Sequence, residues 1–382
     1  MRVFFSVGEP SGDVHGANLI HALQQLNGNL ECVGFGGERM ARAGCQHLFP
    51  LCNYAVMGLA NVIGALPQFM SLISQADRYF HRHRPDAVVL IDYPGFNWWI
   101  ARRAHYHGIP VFYFVPPQLW AWAGWRVKKM RRFVDHVLCS LPFEEAWYRE
   151  RGVSAQFVGH PFFDELPRQQ LDGDFLETQH RQAGAIIGIL PGSRTQEVET
   201  NILTQLRAAQ TIHQAHPETR FLVACYKEHH LKIVQKMSQR FPGLPIETHV
   251  QKTPEIIELS KACISVSGSV SLELLYRAKP SVIVYRNSRL METFLRPLLT
   301  IKHITLVNLL ADKRLYPEFT GVACQAAGVA AEVLHWLDHE RSYAQTCREL
   351  LALRERVARP GACARAARRI VEVLEGKQRH AA

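Results

Sequence analysis

The chain has 382 residues, enough for two domains of ordinary size, each with its own core. Hydrophobic residues make up 47% and aromatics 10%, which excludes collagen-like, low-complexity and disordered classes. A formal net charge of +10 points to anionic partners without choosing among nucleic acid, anionic lipid and phosphorylated metabolites.

The first strand signal is "VFFSVG" (3–8), a continuous apolar run of the kind that suits a strand covered on both faces. "VGEPSGDVHG" follows and opens a helix, with Ser11 and Asp13 as cap candidates and Gly8 and Gly12 allowing close backbone approach. This loop is not G-x-G-x-x-G, and no Walker sequence occurs, so dinucleotide and ATPase readings lose support. Val3 to Val7 is far short of a secretory segment, and the nine cysteines stand singly, without C-x-x-C spacing. A reducing, cytoplasmic setting is the expectation.

Leu48 to Ala76 contains no Lys, Arg, Asp or Glu. Within it Leu59, Val62, Ile63, Leu66, Phe69, Met70 and Ile73 recur at helical spacing, opposite the uncharged Asn61, Gly64, Gln68 and Ser71. Asn53, Asn61, Pro67 and Gln68 argue against a membrane span, and a buried flanking helix is the generic expectation. "AVVLID" (87–92) is the next strand, and it ends in Asp92 just before a Pro-Gly turn. A carboxylate there can face a ligand, and partial desolvation would fit it to take a proton from a sugar hydroxyl. A turn-initiating Asp that bonds the next amides is the competing reading.

"VFYFV" (111–115) and "HVLCSL" (136–141) continue the strand rhythm. Between them "RVKKMRR" (126–132) is the densest basic cluster, either a solvated helix face or a surface for phosphate or phospholipid. No zinc-finger, RNA-recognition or helix-turn-helix signature accompanies it, so no nucleic-acid partner is expected. Residues 167–184 are polar and without strand character, and form the expected linker.

The second half repeats the pattern with "AIIGILPGS" (185–193), "RFLVACY" (220–226), "ACISVSGS" (262–269) and "SVIVYR" (281–286). Two of these strands end in glycine loops that open helices. In the first loop, Gly192, Ser193 and Arg194 precede a helix with Glu197 in its first turn, where exposed amides and a guanidinium suit a phosphate. In the second, Ser267, Gly268 and Ser269 precede a helix carrying Glu273, a carboxylate able to accept ribose hydroxyls. Ordinary helix capping is the plainer account of any one loop alone; three together carry more weight. Asp172-Gly173-Asp174 lies in the linker and the histidines lack ligand spacing, so no metal and no cofactor are expected.

From Ala327 the pattern is helical, and 330–358 is too long for one compact helix unless 338–342 breaks it. The expected fold is α/β, with two Rossmann-like doubly wound domains facing a central cleft. Their expected bounds are 1–166 and 185–345, with helices 346–382 packing back on an N-terminal domain.

Taken together, "GEPSGDVHGANLI", "GFGGERMARAGC", "YAVMG", "IDYPGFN", "QLWAW", "LPFE", "VGHPFFDE", "ILPGSRTQEVE", "SGSVSLELL" and "LVNLLADKRLYPE" resemble the lipid-A-disaccharide synthases. These are inverting glycosyltransferases of the two-Rossmann-domain (GT-B) type. The resemblance runs in order from residue 8 to residue 318. It implies transfer of 2,3-diacylglucosamine from its UDP derivative to 2,3-diacylglucosamine 1-phosphate, releasing UDP. Asp92 matches the family's base, Ser11, Arg194 and Asn308 match donor-binding positions, and Glu273 fits the ribose contact common in this fold. Substrates with two acyl chains each imply an acyl-contact surface at Met57, Leu59, Val62, Ile63, Leu66, Phe69 and Met70. They also imply peripheral attachment to anionic phospholipid and a homodimer through the C-terminal segment. Gly95 stands where the family usually has Asp, Asn61 where Glu is usual, and "PEFTG" lacks a usual Gln. A UDP-sugar transferase with another lipid acceptor, or a non-catalytic nucleotide-sugar-binding protein, stays open as an alternative.

Overall fold

The computed structural model describes residues 1–52, 62–286 and 302–381, and side chains within that except at 62–65 and 377–381. The chain forms two compact units, Met1–Glu165 with Arg359–Ala382 and Leu166–Ala358. Among the described residues each holds one sheet, and every strand pairing there is parallel.

In the first unit the strands are β1 (Arg2–Val7), β2 (Glu31–Phe35), β3 (Cys45–Phe49), β4 (Ala87–Ile91), β5 (Val111–Phe114), β6 (His136–Cys139) and β7 (Ala155–Phe157). Their order in the sheet is β3-β2-β1-β4-β5-β6-β7. The second unit has β8 (Ile186–Leu190), β9 (Arg220–Cys225), β10 (Ile246–Val250), β11 (Ala262–Ser265), β12 (Ser281–Arg286) and β13 (Glu318–Gly321), in the order β10-β9-β8-β11-β12-β13. Both sheets are therefore doubly wound. Successive strands step outward in one direction from β1 or β8 and then resume on its other side, at β4 or β11. At such a reversal the flanking helices leave on opposite faces, which opens a crevice beyond the carboxyl ends of the strands.

Alternation explains the core. Along β1, Val3, Phe5 and Val7 join one buried cluster and Phe4 joins the cluster on the other face. The run of apolar residues thus reflects cover on both sides. The last helix, Ala362–Ala381, lays Cys363, Ala366, Ala367, Ile370 and Leu374 into the first unit's core beside helix Pro10–Leu26.

The expected linker is not one. Residues 173–180 form a helix of the second unit, whose N-cap Asp172 accepts from the Phe175 amide at 3.0 Å. Buried Gln179, bonded to Arg220 and Glu247, docks that helix on the sheet. Most of residues 167–184 are exposed and Gln179 alone is buried, so the polarity is that of a solvated helix surface held to the sheet by one satisfied side chain. Likewise helix Glu340–Val357 stays with the second unit through buried Leu350 and Leu353 and the Arg354 bond to the Tyr276 carbonyl; only residues from Arg359 return. The long helical stretch does break at His339, between helices Ala326–Asp338 and Glu340–Val357.

Candidate active site

The reversal in the first sheet places the ends of β1 and β4 side by side, and one buried amide organises both. Asn97 is 0% exposed. Its Nδ2 donates to the carbonyls of Ser6 at 3.2 Å, Ile91 at 3.3 Å and Asp92 at 2.7 Å, while its Oδ1 accepts from Ser6 Oγ at 2.6 Å. The Tyr113 hydroxyl adds a second bond to the Asp92 carbonyl at 2.7 Å. These bonds hold Asp92 and Tyr93 in the left-handed region, with φ of 47° and 46°. Side chains rarely adopt that conformation without such support, and it recurs at functional sites. Tyr93 caps helix Pro94–Tyr106, and its ring packs where a Cβ on Gly8 would sit, 2.2 Å from Cδ1. Asp92 is thus half-buried on a stiff turn beside the first glycine loop. Asn97 lies within "IDYPGFN", five residues beyond Asp92; its distance from the strand end hid its role.

The glycine loop itself departs from expectation. Ser11 and Asp13 lie inside helix Pro10–Leu26, whose N-cap is Glu9. Ser11 is exposed at the second helical position. Asp13 is buried and accepts from the amides of Gly37, Arg39 and Met40 at 3.0 to 3.1 Å, so it caps the neighbouring helix Glu38–Arg42 instead of facing a ligand. Gly12 is needed for packing, since a Cβ would meet Val7 Cγ1 at 2.8 Å.

The second unit repeats the arrangement. At its reversal Gln205, also 0% exposed, donates from Nε2 to the carbonyls of Leu190 and Ile264, tying β8 to β11. Beyond β8 the chain turns at Gly192, with φ of 120°, and runs through exposed Ser193 and Arg194 into helix Thr195–Ala215. Glu197 accepts from the amides of Ser193 and Arg194 at 3.2 Å and pairs with the Arg194 guanidinium at 3.2 Å. Its carboxylate therefore shapes the loop, and two amides expected to meet a phosphate are taken. Arg194 nonetheless keeps 66% of its side chain exposed.

Beyond β11, Ser267 is half-buried, Gly268 and Ser269 are exposed, and a Cβ on Gly268 would meet open space. Glu273 is buried with its carboxylate 3.4 Å from Arg277 Nε, and burial raises its pKa. Asn308 is 0% exposed and spends both its donors, on the Tyr316 carbonyl at 2.7 Å and on Glu318 at 2.9 Å, and accepts from the Tyr316 amide. Glu318 also accepts from the Ile304 and Thr305 amides and the Thr305 hydroxyl. Asn308 is thus a clamp on the chain around helix Leu306–Ala311, a role that counting motif positions does not show.

Of the acyl-contact residues, Met57 and Leu59 lie outside the described residues, as does Asn61, and the side chains of Val62 and Ile63 are excluded. Leu66 and Met70 are 53% and 51% exposed on helix Val62–His83, whereas Phe69 packs inward against Phe96. Trp99, Trp122 and Trp125 are further exposed aromatics of this unit, and Arg126 lies over both Trp122 and Trp125, at 4.8 and 5.0 Å. Lys128, Lys129, Arg131 and Arg132 follow it and are exposed. Among the described residues no three His, Cys, Asp or Glu side chains gather as a metal would need. A cavity of about 120 Å3 lined by His136, Arg149, Ser154 and Arg369 sits by β6 and β7 of the first unit.

A family profile described as lipid-A-disaccharide synthetase matches residues 3–370. The chain belongs to the lipid-A-disaccharide synthase family of glycosyltransferases. It is 34% identical over 373 residues to the lipid-A-disaccharide synthase of Anaeromyxobacter sp. strain K, covering 98% of this chain and 97% of that one. The enzyme of that name from Acidobacterium capsulatum is 33% identical over 393 residues, covering 100% and 98%. Among solved structures, the S. aureus MnaA–UDP co-structure aligns with a TM-score of 0.66 at 13% identity, over 97% of this chain and 94% of that one. The calicheamicin glycosyltransferase CalG4 gives 0.62 at 13%, over 98% of each. At those identities the likeness establishes the two-unit glycosyltransferase fold, as expected from the sequence.

Proposed function

We propose that this chain moves 2,3-diacylglucosamine from its UDP derivative to the 6-hydroxyl of 2,3-diacylglucosamine 1-phosphate, with inversion, giving the β-1,6 disaccharide and UDP. The supporting observation is that each strand-order reversal ends in suitable chemistry. A carboxylate, Asp92, stands on a stiffened turn at one, and glycine turns with an exposed guanidinium, Arg194, at the other. In this reading Asp92 takes the proton of the acceptor hydroxyl as its oxygen attacks the anomeric carbon in line. The glycosidic bond to phosphate breaks in the same step, and UDP leaves with its charge offset by Arg194 and helix-start dipoles. No covalent sugar intermediate is required.

Ser11, Ser193, Ser267 and Ser269 supply hydroxyls around the same strand ends. Glu273 takes the ribose if Arg277 shares it, and Asn308 acts through the loop it clamps. Gly95 has open space at its Cβ, so packing does not explain the loss of the Asp usual there.

The acyl chains must reach the site from a bilayer. Leu66, Met70 and the exposed tryptophans with their basic neighbours fit peripheral attachment to anionic phospholipid on the cytoplasmic membrane's inner face. No described helix is long and apolar enough to cross a membrane. A homodimer would exchange the Ala362–Ala381 helix between copies, and light scattering tests it.

The deciding experiment follows UDP release from the diacylated donor, with and without acceptor. Asp92→Asn is expected to lose about a hundredfold or more in turnover while keeping UDP affinity. Unchanged turnover in Asp92→Asn would remove the base; UDP binding without any turnover would make this a binding protein. Turnover only with a different lipid acceptor would favour the nearest enzymatic alternative.

A further inference from the structure

We propose that Thr195 and His230 act as a positioning pair, in which the imidazole holds the Thr195 hydroxyl so that its proton is given to the diphosphate of the UDP donor. The inference rests on the UDP-sugar reading above and gives a role to His230, outside the quoted motifs, and to Thr195, which lies within "ILPGSRTQEVE" but had none assigned.

His230 lies in the first turn of helix Glu228–Ser238, just beyond β9, and is 1% exposed. Its Nε2 is 3.2 Å from Thr195 Oγ1, and its Nδ1 is buried without a hydrogen-bond partner. Burial, with Lys227 and His229 nearby, favours the neutral ring against the opposing pull of Glu197. A neutral imidazole carries one N–H. On Nδ1 that donor would be buried with nothing to accept it, while on Nε2 it reaches Thr195 Oγ1. The Nε2–H form is therefore the one this pocket selects. Thr195 then accepts from His230, and its own proton must point elsewhere.

Thr195 is half-buried at the first position of a 21-residue helix. The amides of Thr195 and Gln196 have no intrahelical acceptor at that position. Glu197 has engaged the amides of Ser193 and Arg194 and brings a negative charge close to the loop. A fixed hydroxyl donor beside the remaining first-turn amides offsets that charge for an arriving phosphate. Hydrogen bonds to charged groups are the stronger class, so losing this one should weaken binding by about tenfold or more.

Calorimetry on the full chain with UDP and with uridine tests the pair. Thr195→Val should weaken UDP by about tenfold or more and leave uridine unchanged, and Thr195→Ser should restore UDP affinity. His230→Leu should weaken UDP in the parent chain and do nothing further in the Thr195→Val background. If the parent chain binds no UDP, the donor-site reading falls and takes the pair with it. If the parent binds and Thr195→Val binds equally well, the pair alone is wrong. Equal weakening of UDP and uridine would show general damage to the loop and also overturn the assignment.

Discussion

A single side-chain amide illustrates how a strand end becomes a site. Asn97 offers donors to three carbonyls at the ends of β1 and β4, and the left-handed Asp92 turn depends on it. Asn97→Leu keeps the volume and removes the donors, so it should cost roughly 1–3 kcal/mol, seen as an earlier urea transition. A transition unmoved by the change would mean water replaces the amide. Glu144 makes a second residue-scale case. It accepts from Trp120 Nε1, the Ser140 and Leu141 amides and Ser140 Oγ, yet complete burial pushes its pKa up to about 7 from 4.5. The fold then holds this proton more tightly than the unfolded chain does. Its contribution is fully present below about 4.5 and is lost as pH rises through about 7. Relative to Glu144→Gln, which cannot titrate, the parent's melting temperature should fall between pH 5 and about 7.5. Parallel melting profiles would show that the four donors keep Glu144 ionised.

At the scale of elements, strand signals followed cover. The runs marked in the sequence became β1, β4, β5, β6, β8, β9, β11 and β12, all inside their sheets. Those not marked were β2, β3, β7, β10 and β13, four of them edges. An edge strand is shielded on fewer sides and needs no continuous apolar run; β10 has no fully buried residue. Helix Val62–His83 shows the reverse limit. Its apolar residues do not share one environment, because Leu72, Ile73 and Ala76 enter the core while Leu66 and Met70 stay exposed. Replacing both exposed residues by Ser should leave the melting temperature nearly unchanged and reduce flotation with anionic liposomes. Full flotation of that double variant would shift the contact surface to the tryptophan and arginine cluster.

For the whole molecule, the two chain crossings near 165 and 358 both meet one capping residue. Asp164 accepts from the amides of Gly361, Ala362 and Cys363 at 2.5, 3.0 and 2.8 Å, and Arg365 donates back to the Val158 carbonyl at 2.7 Å. Asp164→Ala should remove about 1–2 kcal/mol from the docking of the last helix, read as faster amide exchange and earlier proteolysis in 362–376. Protection equal to the parent would mean the apolar face alone holds it.

The sequence by itself determined that there are two parallel-sheet lobes, which strand ends carry glycine loops, and which family the motifs resemble, because buried parallel strands and tight turns leave contiguous, local signatures. Only the tertiary structure decided what each motif residue does. Asp13, Glu197 and Asn308 turned out to be engaged by amides and carbonyls of the protein itself, and Asn97 and Gln205 to stitch strands together. Glu197 closes a local capping box, but partners of Asp13, Gln205 and Asn97 lie as far as 27, 59 and 91 residues away in the chain, and hydrogen-bond satisfaction across such separations is fixed by where the fold brings backbone groups, which no local pattern records.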